Sequence, residues 1–116
     1  MSEPTNLISP ISIDRFFETE LKVGTVKAAE RVPKSEKLVK LTVDLGEESS
    51  RTLVAGIGLA YPPEELVDRQ VIVVANLQPA KLMGIESQGM VLAASIDGKP
   101  VLLRPDIQVP NGTRVR

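Results

Sequence analysis

The 116 residues include no cysteine, no histidine and no tryptophan, and only three aromatic side chains, Phe16, Phe17 and Tyr61. These absences exclude disulfides, thiolate or imidazole metal sites and a Ser-His-Asp triad together. An enzyme built from this chain would have to work with carboxylates, lysines and hydroxyls alone. Three aromatics are also too few for the stacking platform on which single-stranded nucleic acid is laid out. Long apolar runs are missing: no uninterrupted stretch approaches the roughly 20 residues that a membrane helix needs. The opening MSEPTNLISP lacks the basic-then-apolar pattern of a signal peptide. A cytoplasmic protein with no membrane partner is the resulting expectation.

What is present is an ordinary soluble composition, 42% apolar and 25% charged, at a length suited to one domain. Residues 1–10 hold two prolines among polar residues without periodicity and read as a flexible lead; residues 11–116 form the domain. The net charge of −1 conceals an uneven distribution. Residues 22–40 contain Lys22, Lys27, Arg31, Lys34, Lys37 and Lys40 against only Glu30 and Glu36, a basic patch of the kind that meets phosphate. Such a patch also suits a solvated strand face and loop. Asp44, Glu47 and Glu48 are the densest carboxylates and read as a solvated hairpin end.

Along the chain, Ser12 can cap a short helix through Phe17, with Asp14 in its first turn; this helix is expected to plug an open end of the fold. LKVGTVKAAERV follows as a bent strand, with Gly24 allowing a bulge or a sharp bend. In KLVKLTVDLG, Val39, Leu41, Val43 and Leu45 alternate with Lys40, Thr42 and Asp44, the period of a half-buried strand. RTLVAGIG is a third strand. YPPEELVDR starts a helical turn at its prolines, QVIVVANL is the fourth strand and GMVLAASI the fifth. DGK at 97–99 is a turn leading to VLLR. Five main strands with short helical pieces indicate an all-β fold, a small closed barrel.

The stretch NLQPAKLMGIESQGM (residues 76–90) is unusually elaborate for a connection leaving a core strand. Together with LKVGTV, PKSEKLVKLTVDLGEE, LVAGIGLAYPPEELV and the closing VLLRPD…VPNGTRV, it resembles the tRNA-binding domain found at the C-terminus of many methionyl-tRNA synthetases, in endothelial monocyte-activating polypeptide, and as a free-standing structure-specific tRNA-binding protein. The likeness covers residues 11–116. It implies an OB-fold, a five-stranded barrel with short helices, extended by C-terminal strands that make a homodimer. It also implies structure-specific, non-catalytic tRNA binding without a cofactor, in the service of an aminoacyl-tRNA synthetase. On that likeness the RNA-contacting residues are Lys34, Lys37, Asn76, Lys81, Ser87, Gln88 and Met90. The lysines would neutralise phosphates, Asn76, Ser87 and Gln88 would bond ribose or base edges, and Met90 would adapt to an exposed base.

Each residue alone has a plainer reading. Met83 and Met90 suit irregular barrel ends as core fillers, and Asn76 suits a side-chain clamp at a strand end. Lys22, Ala80 and Leu82 stand where more basic relatives place arginine, so weaker RNA binding is expected. A chaperone-like homodimer of the same fold, taking extended peptides in an apolar groove, is the alternative. The C-terminal VLLRPDIQVPNGTRVR is too apolar for a free tail and is expected to build the two-fold interface.

Overall fold

The computed structural model describes residues 9–116, so most of the expected flexible lead lies outside the described residues. Alternation of aliphatic and polar residues sets the architecture. Five strands run in the order β3 (Arg51–Ala55), β2 (Val39–Asp44), β1 (Leu21–Arg31), β4 (Gln70–Val74), β7 (Met90–Val91), all antiparallel neighbours. The sheet curls until β3 and β7 approach, giving the expected OB barrel. Val39, Leu41, Val43 and Leu45 are all buried, and with Val26, Leu53, Val71 and Val73 they fill the interior. The core is purely aliphatic, which suits a narrow barrel where β-branched side chains pack on a pleated wall.

β1 serves two sets of partners because it is long and bent. Its first half pairs with β4, Leu21 opposite Val74, and its second half with β2, Arg31 opposite Val39. The register slips between Val26 and Ala28, so the bulge lies at Lys27 and not at Gly24. Gly24 has a different use: a Cβ there would lie 2.6 Å from Leu45 Cδ2.

The short helix α1 (Ile13–Phe16) forms as expected, with the Ser12 Oγ accepting from the Arg15 N–H at 3.0 Å. It buries no residue and is not the barrel plug. That role falls to Leu66, fully buried at the end of the 3-10 turn Pro63–Glu65. The turn is fixed to β1 by Val26, whose N–H donates to Arg69 O and whose carbonyl accepts from the Asp68 N–H. GMVLAASI also splits. Only β7 joins the barrel, while β8 (Ala93–Ile96) turns through Asp97 and Gly98, both at positive φ, to pair with β9 (Lys99–Leu102) as a separate ribbon.

The C-terminal segment differs most from expectation. Residues 109–115 return to the body of the same chain. Gln70 brackets Val109, its Nε2 donating to Val109 O at 2.7 Å and its Oε1 accepting from Val109 N–H at 3.1 Å. The Thr25 hydroxyl donates to Asn111 Oδ1 at 2.7 Å. β10 (Arg114–Val115) then takes the edge of β1 that β2 leaves open at Leu21 and Lys22. These backbone groups are spent within the chain, and the outward apolar residues of the C-terminal stretch are Val101, Leu103 and Ile107. Gly112 makes the return possible: it sits at φ 90° and a Cβ there would meet Leu45 O at 2.6 Å.

Gly112→Ala should therefore lower stability by about 1–3 kcal/mol, the usual cost of such backbone strain. Chemical denaturation of the purified variant reads this directly; an unchanged midpoint would show that the return of the C-terminal segment does not depend on that close approach.

Candidate nucleic-acid interface

β3 is the axis of the candidate site. The loop of residues 32–38 lies at one end of it, and residues 75–89, joining β4 to β7, run along it. In OB barrels, the corresponding loops flank the surface that takes oligonucleotides. All seven sequence-expected residues fall on or next to these two segments: Lys34 and Lys37 on the first, Asn76, Lys81, Ser87 and Gln88 on the second, and Met90 directly after it.

The first loop is held by backbone contacts that leave its lysines free. Arg31 NH1 donates to Glu36 O at 2.8 Å and to Gly58 O at 3.1 Å, and the Gly58 N–H donates to Lys37 O at 2.7 Å. Gly58 permits this, since a Cβ there would lie 2.5 Å from Glu36 O. Lys34 occupies the turn at φ 67°. The Lys37 stem crosses Gly56 and enters a groove of about 220 Å³ that Leu59, Asp97, Lys99 and Pro100 also line. Lys34 and Lys37 are exposed. Among the described residues three ion pairs form, Lys22–Glu20, Lys40–Glu30 and Arg51–Glu47. Lys34, Lys37 and Lys81 take part in none of them.

The second segment contains a hairpin that periodicity did not reveal. β5 (Ala80–Leu82) pairs with β6 (Ile85–Ser87), Lys81 opposite Glu86, through a two-residue turn at Met83 and Gly84 with φ 51° and 81°. Two consecutive positive φ values are those of the type I′ hairpin turn. The glycine after an alternating run was the available signal. Lys81 is exposed on this hairpin.

Ser87 and Gln88 take roles other than those expected. Ser87 is 5% exposed; its Oγ accepts from the Val54 N–H at 2.9 Å and donates to Gly89 O at 3.0 Å. The Gln88 N–H donates to Thr52 O at 2.8 Å, and its Oε1 accepts from the Thr52 N–H at 2.9 Å. Together they join the free edge of β3 to the chain entering β7. The buried Ser87 hydroxyl spends its proton and one acceptor lone pair within the chain, whereas Gln88 remains exposed with its Nε2 unpartnered among the described residues. Asn76 also clamps: its Oδ1 accepts from the Glu20 N–H at 2.9 Å and its Nδ2 donates to Glu18 O at 2.6 Å. Met90 and Met83 are not core fillers, being 47% and 57% exposed.

Arg51 was not singled out by sequence and finishes the seam. Its NH1 donates to Ala75 O and to Gln88 O, while Nε and NH2 grip both Glu47 carboxylate oxygens at 2.9 and 2.8 Å. The hydrogen bonds from Arg51 hold the Glu47 carboxyl below its ordinary range; partial burial opposes this, and the charges of Arg51 and then Lys22 add to it. Among the described residues, no group of three or more His, Cys, Asp or Glu is placed to hold a metal ion.

Comparison with known proteins agrees with this geometry. The family described as "Putative tRNA binding domain" matches residues 21–114. Methionine–tRNA ligases of Methanothrix thermoacetophila and Deinococcus radiodurans are 56% and 54% identical over 91% of the chain. The chain spans only 16% of the length of each. Among solved structures, a MetRS related protein from Pyrococcus horikoshii superposes with a TM-score of 0.88 at 43% identity, covering 94% of this chain and all of that one. The chaperone CsaA of Bacillus anthracis gives 0.84 at 32% identity, covering 93% of this chain and all of that one.

Because the Ser87 hydroxyl satisfies a buried N–H, Ser87→Ala should destabilise the barrel by about 1–3 kcal/mol, the cost of an orphaned buried donor. Thermal and urea unfolding check this, and a variant as stable as the parent would remove Ser87 from the seam.

Proposed function

The chain belongs to the tRNA-binding domain family, and on that premise we propose that it binds folded tRNA, without catalysis, across the face framed by residues 32–38 and 75–90. The observation that supports this best is the placement of Lys34, Lys37 and Lys81, all exposed and outside every described ion pair, on the two segments that flank β3. From Arg51 to Ala55 this strand spans about 13 Å, and cations on segments at its end and along its side suit a phosphate backbone better than a point-like anion. Gln88 Nε2 and the remaining Asn76 amide hydrogen offer bonds to ribose or base edges, and Met90 supplies an adaptable apolar surface beside them. With so few aromatics, recognition follows the shape of the folded RNA, and sequence enters little.

In the service of a methionyl-tRNA synthetase, whether linked to it or separate, such a module raises the local tRNA concentration at the catalytic domain. It acts as a homodimer. The support for assembly is the β8–β9 ribbon and the segment after it, where Ile96, Val101, Leu103 and Ile107 are each exposed, more apolar surface than a short connection needs. The likeness to CsaA favours a second reading, extended-peptide binding on the same apolar surface, which would show little dependence on salt.

Two measurements test this. Replacing Lys34 and Lys37 by Gln should leave the fold intact, weaken whole-tRNA binding, and flatten the plot of log affinity against log salt by about 0.9 for each phosphate that is no longer neutralised. An unchanged slope in the folded double variant would take the loop out of the RNA face. Light scattering at micromolar concentration should give twice the 12.5 kDa chain mass, and a monomer would end the dimer proposal.

A further inference from the structure

Met83 is an anomaly of the hairpin. The first central position of a type I′ turn requires positive φ, which Asn and Asp accept and which strains most other L-residues. Met83 holds φ 51° there, followed by Gly84 at φ 81°. Its side chain lies outside the core, being 57% exposed, and a Cβ at Gly84 would have no atom within 4 Å. Leu82, beside it, is 39% exposed and Met90 47%. An unfavourable backbone position thus carries a large apolar side chain into solvent, where neither folding energy nor packing accounts for it. The same hairpin carries Lys81, exposed and in no described ion pair.

We propose that Met83 is an RNA-contacting residue, the apolar tip of the β5–β6 hairpin, which lays its thioether against an exposed base of the tRNA while Lys81 holds the adjoining phosphate. This rests on the tRNA-binding reading and adds to it a specific contact. Methionine suits the task because its unbranched, polarisable side chain adapts to an aromatic edge or face. Neighbouring charge chooses this occupant over a protein partner: Lys81 lies opposite Glu86 on the hairpin but forms no ion pair with it among the described residues, and an apolar tip beside such a lysine, on one of the two segments flanking β3, fits a stacked base beside a phosphate.

The test uses Met83→Asn, which relieves the turn and removes the apolar tip together. The variant should melt higher, on the order of 4 °C, and bind whole tRNA about two- to tenfold more weakly, the range of a thioether–aromatic contact. The salt slope should stay that of the parent, because every lysine that meets phosphate is kept. Parental affinity in a stabilised Met83→Asn, alongside a weakened Lys34/Lys37 double variant, would overturn the Met83 contact and leave the tRNA reading standing. Absence of tRNA binding by the parent chain would overturn both. Met83→Leu, which keeps the apolar tip, should retain most of the affinity; equal losses in Leu and Asn variants would mean that the turn's shape, and not the apolar contact, is what binding needs, and would also overturn the proposal.

Discussion

The structure depends on how a five-stranded barrel closes when its last strand is too short to reach the first edge. β7 comprises only Met90 and Val91, and both pair with β4. The edge of β3 would be left with the N–H groups of Thr52 and Val54 unpaired, a cost of about 1–3 kcal/mol each when buried. Side chains supply the missing ladder. Gln88 brackets Thr52 with its backbone N–H and its amide oxygen, Ser87 receives the Val54 N–H, and Arg51 caps the end through Ala75 O and Gln88 O. The barrel is sealed by polar side chains where a regular strand would have used its backbone.

This closure has a functional result. The sealing residues end the same segment that carries the β5–β6 hairpin, so the seam and the proposed RNA-facing surface are two sides of one stretch of chain. Residues 76–90 combine two features: Asn76 fixes the segment to the α1–β1 connection and Ser87 and Gln88 fix it to β3, while Lys81, Met83 and Met90 are exposed on it. The opposite loop follows the same logic, with Arg31 and Gly58 fixing its backbone so that Lys34 and Lys37 reach solvent. Binding to such a surface requires little ordering of loops, and that lowers the entropic cost of association.

Strand identities and the aliphatic core were legible because period-2 alternation is strong in Val39–Leu45 and the apolar run Val71–Ala75 has no polar interruption. The Ser12 cap and the Asp97–Gly98 turn were legible for local reasons, since their chemistry lies within a few residues. What was hidden depended on long-range pairing. Nothing near Ser87 reveals that its hydroxyl meets Val54, 33 positions earlier, and nothing near Arg51 reveals Ala75 and Gln88. The C-terminal return depends on Gln70 and Asn111 meeting across the fold, so its apolar character alone pointed outward to a partner. Family resemblance pointed to the segment as a whole and could not separate the residues that hold it from those that face solvent.

Hydrogen–deuterium exchange of single amides, in the free chain and with whole tRNA, tests the central claim that one rigid seam supports an RNA-facing surface. The amides of Thr52, Val54 and Gln88 should already exchange near the rate of global unfolding in the free protein, as core-paired groups do. Added tRNA should bring new protection to residues 33–38 and 76–90. Fast exchange at Thr52 and Val54 in the free chain, or new protection confined to residues 93–107, would contradict the account.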